Sequence, residues 1–390
     1  MGEQRTQRAW AAIAAVTVVN LPLGSIYAFS VFLKPIEATL GLPRSALSLV
    51  FGLASIGFTA GMLVAPYLYG LCSAPMLLMM CSIMAAVGIA LAASADGLPM
   101  LLFGYGVLFG VGGGAAYIIA QQSVNLLITG RRGLVNGYIV GLYPAGAMFA
   151  APLFGWANGV HGYRWTMAVL SVVLILTGIV GVALVRHSGV VLPRPSAASN
   201  AAGGRTAIFV RLFTVFFVAA AAGLTVLSQA AGIIAAYGGG AVMALTATTA
   251  ITAAIAAARV GGGWLTDKFA VPFVAAFAQA FSLVGAVSLA IWPDPMVAAV
   301  ALGMVGAGYG LISGCTAGAI ALYWPPEAFG KIASQIYIAW CIAAVSLPIL
   351  AGHLFDLTQG YHWTVVIAGC GNLVGVIVAL GLPRKAPATA

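Results

Sequence analysis

The chain has 390 residues, 62% of them hydrophobic and 6% charged, with a mean hydropathy of +1.09. About a quarter of a soluble globular chain is charged, so soluble enzymes and soluble binding modules are excluded, and an all-α membrane protein is expected. Sixteen basic against seven acidic residues give a formal charge of +9. Their placement, taken up below, points to membrane topology and not to nucleic acid.

A span of roughly 20 residues with a short connection uses about 30, so the length accommodates about a dozen helices and no soluble catalytic domain. The first apolar stretch, about 10–33, contains the breakers Asn20, Pro22 and Gly24, tolerated in membrane helices where neighbours satisfy the freed backbone groups. Leu-Gly-Leu-Pro-Arg-Ser follows, in which Ser45 is expected to cap a second span over 46–68. Third and fourth spans are expected at 76–95 and 100–127, then, after Arg131 and Arg132, a fifth at 134–157 and a sixth at 165–185. Residues 187–207 are rich in Pro, Ser, Ala and Gly, lack apolar periodicity and read as a linker. Spans seven to twelve are expected at 208–235, 241–264, 271–292, 296–323, 332–354 and 363–382. The expected organisation is a six-helix bundle over 1–186, the linker 187–207 and a second six-helix bundle over 208–390.

The halves repeat. His161-Gly-Tyr-Arg-Trp165 before the sixth span recurs as Gln359-Gly-Tyr-His-Trp363 before the twelfth, an offset of 198 residues. Gly106, Gly110 and Gly114 in the fourth span are matched by Gly306, Gly310 and Gly314 in the tenth. Such small-residue ridges suit close helix packing. The run GVGGGAAY is not read as a phosphate loop, because it lies inside an apolar run that no strand precedes.

With a cytoplasmic N-terminus and twelve spans, Arg5, Arg8, Arg131, Arg132, Arg186, Arg194, Arg205, Arg211, Lys268, Lys331, Arg384 and Lys385 fall inside, against Lys34, Arg44 and Arg164 outside. Twelve against three predicts that both termini are cytoplasmic, in a multi-pass protein of the cell (inner) membrane. The five cysteines are scattered singly and read as reduced packing residues, so neither a metal site nor a cofactor is expected.

Arg259 stands out. It lies eight residues before Asp267, which is ~12 Å of helix and close to the midplane of a ~30 Å hydrocarbon layer. A charge there is costly and marks a functional site by default. Its helical neighbours Ile255, Ala256, Gly262 and Gly263 are uncharged, and Glu3, Glu37, Asp96, Asp267, Asp294, Glu327 and Asp356 all fall near span ends or in connections. The simplest counter-ion is an anion from solution, held by parallel charge-assisted hydrogen bonds. The competing reading is a structural arginine bonded to tyrosines and free carbonyls, or one snorkelling to the interface.

Six spans repeated in the same orientation after a linker is the arrangement of a parallel-repeat transporter with a midplane substrate site. Gly261-Gly-Gly-Trp-Leu-Thr-Asp267-Lys268 resembles the glycine-aspartate-basic signature of the major facilitator superfamily between spans eight and nine. The matching place in the first half, Leu-Val-Ala-Pro-Tyr-Leu-Tyr-Gly, lacks the acid and the base. Gly24-Ser-Ile-Tyr-Ala-Phe-Ser-Val-Phe-Leu-Lys-Pro, with Leu-Gly-Leu-Pro-Arg-Ser and the Gly-Tyr-Arg-Trp turn, is similar to the monocarboxylate porter and oxalate-formate antiporter branch.

The resemblance implies the major facilitator fold, with a cavity lined by Tyr27, Tyr117, Gln229, Tyr309, Trp340 and Cys341 around Arg259, and an inner gate at Asp267 and Lys268. Oxalate carriers of the branch are expected to use a second base in span eleven, where this chain has Trp340 and Cys341; one buried charge balances one carboxylate, which favours a monocarboxylate such as lactate or pyruvate. Proton-coupled lactate carriers are expected to place an aspartate one turn before the arginine, where this chain has Ile255. Coupling is then left to the substrate carboxylate, to bound water, or to His353 or His362. The expectation is electroneutral proton symport by alternating access, in a monomer that needs only substrate, protons and the lipid bilayer. Exchange of organic anions is the alternative. A membrane enzyme is disfavoured because no His, Asp or Glu stands inside a span.

Overall fold

The computed structural model describes residues 2–194 and 205–386; residues 195–204 of the expected linker lie outside the described residues. Twelve described helices are long and apolar enough to cross a membrane, and no strand is formed among the described residues beyond an isolated bridge between Tyr69 and Cys72. The span-forming helices are α1 (Gly2–Leu23), α3 (Arg44–Leu68), α4 (Ala74–Ala93), α6 (Gly110–Leu127), α7 (Arg132–His161), α8 (Tyr163–Ser188), α9 (Thr206–Ala236), α10 (Ala241–Thr266), α11 (Val271–Ile291), α12 (Pro295–Tyr323), α13 (Phe329–Thr358) and α14 (His362–Leu380), with short helices α2 (Ser30–Leu40) and α5 (Leu98–Leu101) beside α1 and α6. Counting α5, the segment after it and α6 as one span over Leu98–Leu127, the shortest of the twelve spans is α14 with 19 residues, which at 1.5 Å per residue is close to the thickness of the hydrocarbon layer. Trp10, Trp156, Trp165, Trp264, Trp292 and Trp363 are exposed near helix ends, as amphipathic rings are at membrane interfaces.

Two local details differ from expectation. The first span is not one helix: α1 stops at Leu23, a tight turn of 3-10 helix runs over Gly24–Ala28, and α2 begins at Ser30. Pro22 removes a backbone donor there, and a Cβ on Gly24 would collide with the Tyr143 carbonyl. Ser45 is not a cap. It lies inside α3, whose cap position is the extended Pro43 with no side-chain hydrogen bond, because a proline just before the first turn presets the backbone for helix entry.

Contacts group the chain into two compact units. Unit 1 comprises Met1–Gly130, Leu142–Asn200 and Pro325–Gln335; unit 2 comprises Arg131–Gly141, Ala201–Trp324 and Ile336–Ala390. Thus the first turns of α7 group with the second half of the chain, and the first turns of α13 with the first half.

Within unit 1, α6 packs on α3 along the expected ridge: a Cβ at Gly110 would stand 2.7 Å from the Ala54 carbonyl oxygen, and one at Gly114 would overlap the Phe58 carbonyl. The same span widens into a π-helical segment over Leu102–Phe109, where Gly104 meets Gly88 of α4, a Cβ on it standing 2.6 Å from the Gly88 oxygen. Within unit 2, α12 packs on α10 in the same way. A Cβ at Gly306 would come to 3.1 Å of Ile255, one at Gly310 to 2.5 Å of the Ile255 carbonyl oxygen, and one at Gly314 would overlap the Arg259 carbonyl. Without side chains between them, the backbones approach closely and dispersion contacts replace the hydrophobic drive that lipid does not provide.

Candidate anion site on α10

The side chain of Arg259 is held by two elements of unit 2. Gly314 lets α12 touch the Arg259 backbone, which brings Tyr309, one turn earlier on α12, beside the guanidinium. Arg259 Nη2 donates to the Tyr309 hydroxyl at 3.1 Å, and the guanidinium carbon lies 5.3 Å from the Tyr309 ring centroid, within the range of a cation–π contact. The opposite wall is the start of α7. There Gly133, Gly137 and Gly141 recur every four residues, and a Cβ on Gly137 would stand 2.6 Å from the Arg259 carbonyl oxygen. Across this approach Arg259 Nη1 donates to the Val140 carbonyl at 3.0 Å. Both groups are buried, Arg259 at 4% exposure and Tyr309 at 1%.

The named partners are a carbonyl and a phenol, both uncharged. The five donors of a guanidinium, set in a planar fork, suit a carboxylate. The acids of unit 2 sit at helix ends: Asp267 closes α10, Asp294 caps α12, and Asp356 lies in the last turn of α13. Ile255, one turn before the arginine, is fully buried against the α12 ridge.

Asp267 is a helix cap. Its Oδ1 and Oδ2 accept from the backbone N–H groups of Gly133 and Leu134, each at 2.8 Å, so its negative charge sits on the positive end of α7. Lys268 beside it is exposed. The corresponding cap in unit 1 uses neutral groups. Tyr69 stands 198 residues before Asp267, the offset of the repeated turn, and lies close to Gly330 at the start of α13, a Cβ there coming to 3.2 Å of its hydroxyl. Burial pushes the Tyr69 phenol up, so it stays protonated. The capping itself falls to Gln122, whose Oε1 accepts from Gly330 N–H at 2.6 Å and whose Nε2 donates to the Pro326 carbonyl at 2.8 Å.

The remaining residues singled out in the sequence are placed as follows. In unit 1, Tyr27 and Tyr117 join an aromatic cluster with Tyr143 and Phe58, in which the Tyr117 and Tyr143 centroids are 5.1 Å apart and edge-on. In unit 2, Gln229 accepts from the Tyr361 hydroxyl at 3.2 Å, beside the α13–α14 connection. Trp340 is buried and Cys341 half-buried on α13; His353 and His362 are exposed. A cavity of about 150 Å³ among α9, α13 and α14 is apolar, and Arg259 is not among its lining residues. Val140, Tyr143, Gln122 and the α7 glycines escaped the sequence reading. The glycines had a signal, since 133, 137 and 141 repeat every four residues.

Residues 15–346 match the family model described as the Major Facilitator Superfamily. The chain is 27% identical over 300 residues to the Escherichia coli K12 protein described as an uncharacterized MFS-type transporter, YhjX, covering 74% of this chain and 73% of that one. It is 26% identical over 344 residues to monocarboxylate transporter 11 of Mus musculus, covering 78% and 71%. Over 172 residues it is 23% identical to the oxalate:formate antiporter of Oxalobacter formigenes, covering 43% and 41%. The solved structure of the proton:xylose symporter XylE superposes with a TM-score of 0.75 at 14% identity, covering 98% and 97%.

Proposed function

The chain belongs to the Major Facilitator Superfamily, and on that premise we propose that it is a secondary active carrier of small monocarboxylates of the L-lactate and pyruvate type. The observation that carries this reading is a planar guanidinium, that of Arg259 at 4% exposure, inside a membrane-crossing helix and oriented by the Val140 carbonyl and the Tyr309 hydroxyl. One such charge balances one carboxylate; a dianion leaves a net negative charge in low dielectric. The likeness to monocarboxylate transporter 11 supports the same substrate class.

In the proposed cycle, Arg259 takes the carboxylate through two parallel N–H···O bonds and Tyr309 holds the guanidinium plane. A proton travels with the anion, which makes each turnover electroneutral. Residues 1–186 and 208–390 act as the two rocking repeats, with both termini cytoplasmic. Asp267, with Lys268 beside it, belongs to the inner gate through its hold on α7. Tyr27 and Tyr117 of unit 1, and Trp340 and Cys341 of unit 2, are our further candidates for substrate contact. His353 and His362 are the side chains we assign to proton exchange at the outer helix ends, and Gln229 belongs to that end with Tyr361.

The test is uptake of labelled L-lactate by proteoliposomes with and without an inward proton gradient. Native protein accumulates lactate under the gradient and Arg259→Ala does not; uptake indifferent to the gradient removes proton symport. Exchange of organic anions is the second reading, favoured by the likeness to the oxalate:formate antiporter. It requires substrate inside the vesicle, whereas symport does not.

A further inference from the structure

We propose that Pro144 is a positioning residue for Arg259: by deleting one backbone N–H from α7 it releases the Val140 carbonyl that orients the guanidinium. The functional consequence rests on the reading of Arg259 as the carboxylate anchor; the structural assignment does not.

In a continuous α-helix the carbonyl of residue 140 accepts from the N–H of residue 144. Helix α7 is continuous over Arg132–His161, and Pro144 lies inside it. Proline has no N–H, and its ring crowds the carbonyl four residues earlier. The Val140 carbonyl therefore loses its helical donor at a residue that is 2% exposed. A buried carbonyl left without a partner is costly, so a donor from elsewhere is needed. Arg259 Nη1 is that donor, at 3.0 Å. The approach is open because Gly137 and Gly141 flank the carbonyl with no side chains toward α10: a Cβ on Gly141 would stand 3.3 Å from Val260 Cγ2 and 3.4 Å from the Ala256 oxygen.

The same device recurs within unit 1. Pro35 lies inside α2 and removes the donor for the Val31 carbonyl. Asn158 Nδ2 donates to that carbonyl at 3.3 Å. A proline that frees a carbonyl, and a side chain from a distant helix that takes it up, thus recurs among the described residues. At Val140 the acceptor meets a cation, so the carbonyl dipole both fixes the plane of the guanidinium and stabilises its charge.

The first experiment is a double-variant comparison of melting temperatures on the full chain in detergent. In the native background, Arg259→Ala strands the Val140 carbonyl; in a Pro144→Ala background, the restored N–H already satisfies it. The expected result is a drop of about 2–4 °C or more for Arg259→Ala in the native background and less than half of that drop in the Pro144→Ala background. Equal drops overturn the assignment. Where Pro144→Ala yields no folded protein, Pro144→Gly restores the same N–H.

The second experiment is lactate uptake. Pro144→Ala raises KM roughly 3- to 10-fold with little change in kcat, as loss of one orienting bond predicts. Pro152→Ala, which removes another proline from α7 without touching Val140, leaves KM unchanged. If both proline variants shift KM equally, Pro144 acts only on helix shape and the proposal falls. If Arg259→Ala transports normally, the carboxylate reading fails instead, and the melting comparison still decides the role of Pro144.

Discussion

Replacing Arg259 by lysine separates charge from geometry. The native guanidinium donates through Nη1 to Val140 and through Nη2 to Tyr309, at 3.0 and 3.1 Å, from two different nitrogens of one rigid plane. Lysine keeps the positive charge at a single nitrogen, so it cannot preserve both anchors and also grip a carboxylate with two parallel bonds. Loss of one charge-assisted hydrogen bond to the substrate amounts to about 1.5–3 kcal/mol, or roughly a 10- to 100-fold weaker apparent affinity. The assay is initial-rate L-lactate uptake over a range of concentrations, with reconstituted protein quantified in the same vesicles. The expected result is a KM raised by that factor with kcat much less affected, because the lost bond is made in the bound ground state as well as later. An Arg259→Lys protein within twofold of native KM refutes the two-bond grip and returns Arg259 to a structural role.

Three further outcomes follow from the same geometry. Tyr309→Phe keeps the ring 5.3 Å from the guanidinium carbon but deletes the hydroxyl, so KM rises about 2- to 10-fold, the equivalent of one neutral hydrogen bond; an unchanged KM sets aside the orienting role of that hydroxyl. Asp267→Ala removes both 2.8 Å caps from α7 and lowers stability by about 1–2 kcal/mol, with Asp267→Asn intermediate; a melting temperature equal to native counts against the cap. Gly314→Ala puts a methyl group against the Arg259 carbonyl and forces α10 and α12 apart at a cost of about 1–3 kcal/mol, whereas Gly303→Ala, with open space around it, leaves both melting and uptake unchanged.

Much of the architecture was legible because lipid imposes simple rules on sequence. Backbone groups in hydrocarbon must bond within their own helix, so apolar run length placed the later spans within a few residues of their helices, whereas the first, expected over 10–33, is broken after Leu23 into α1, a 3-10 turn and α2. The α6 and α12 glycine ridges were legible for a related reason, since spacing by four puts small residues on one helix face. The neighbours of Arg259 were harder. Tyr309 was singled out, but only its position on a ridge facing α10 made it a partner. Val140 had no signature at all, because its contribution is a carbonyl, which every residue has. What marked it was Pro144, and that mark has meaning only when a donor 119 residues away along the chain arrives at the freed oxygen.

The sequence by itself determined that this chain lives in a bilayer, repeats once, and carries one arginine deep in a span; hydropathy, offset and charge are properties of the string. Tertiary structure decided which groups meet that arginine, that Gln122 takes over in unit 1 the capping that Asp267 performs in unit 2, and that Gln229 serves Tyr361. The physical reason is common to all three. A hydrogen bond is fixed by ångström-scale distance and direction, and the glycine contacts that set those distances lie between helices remote in sequence.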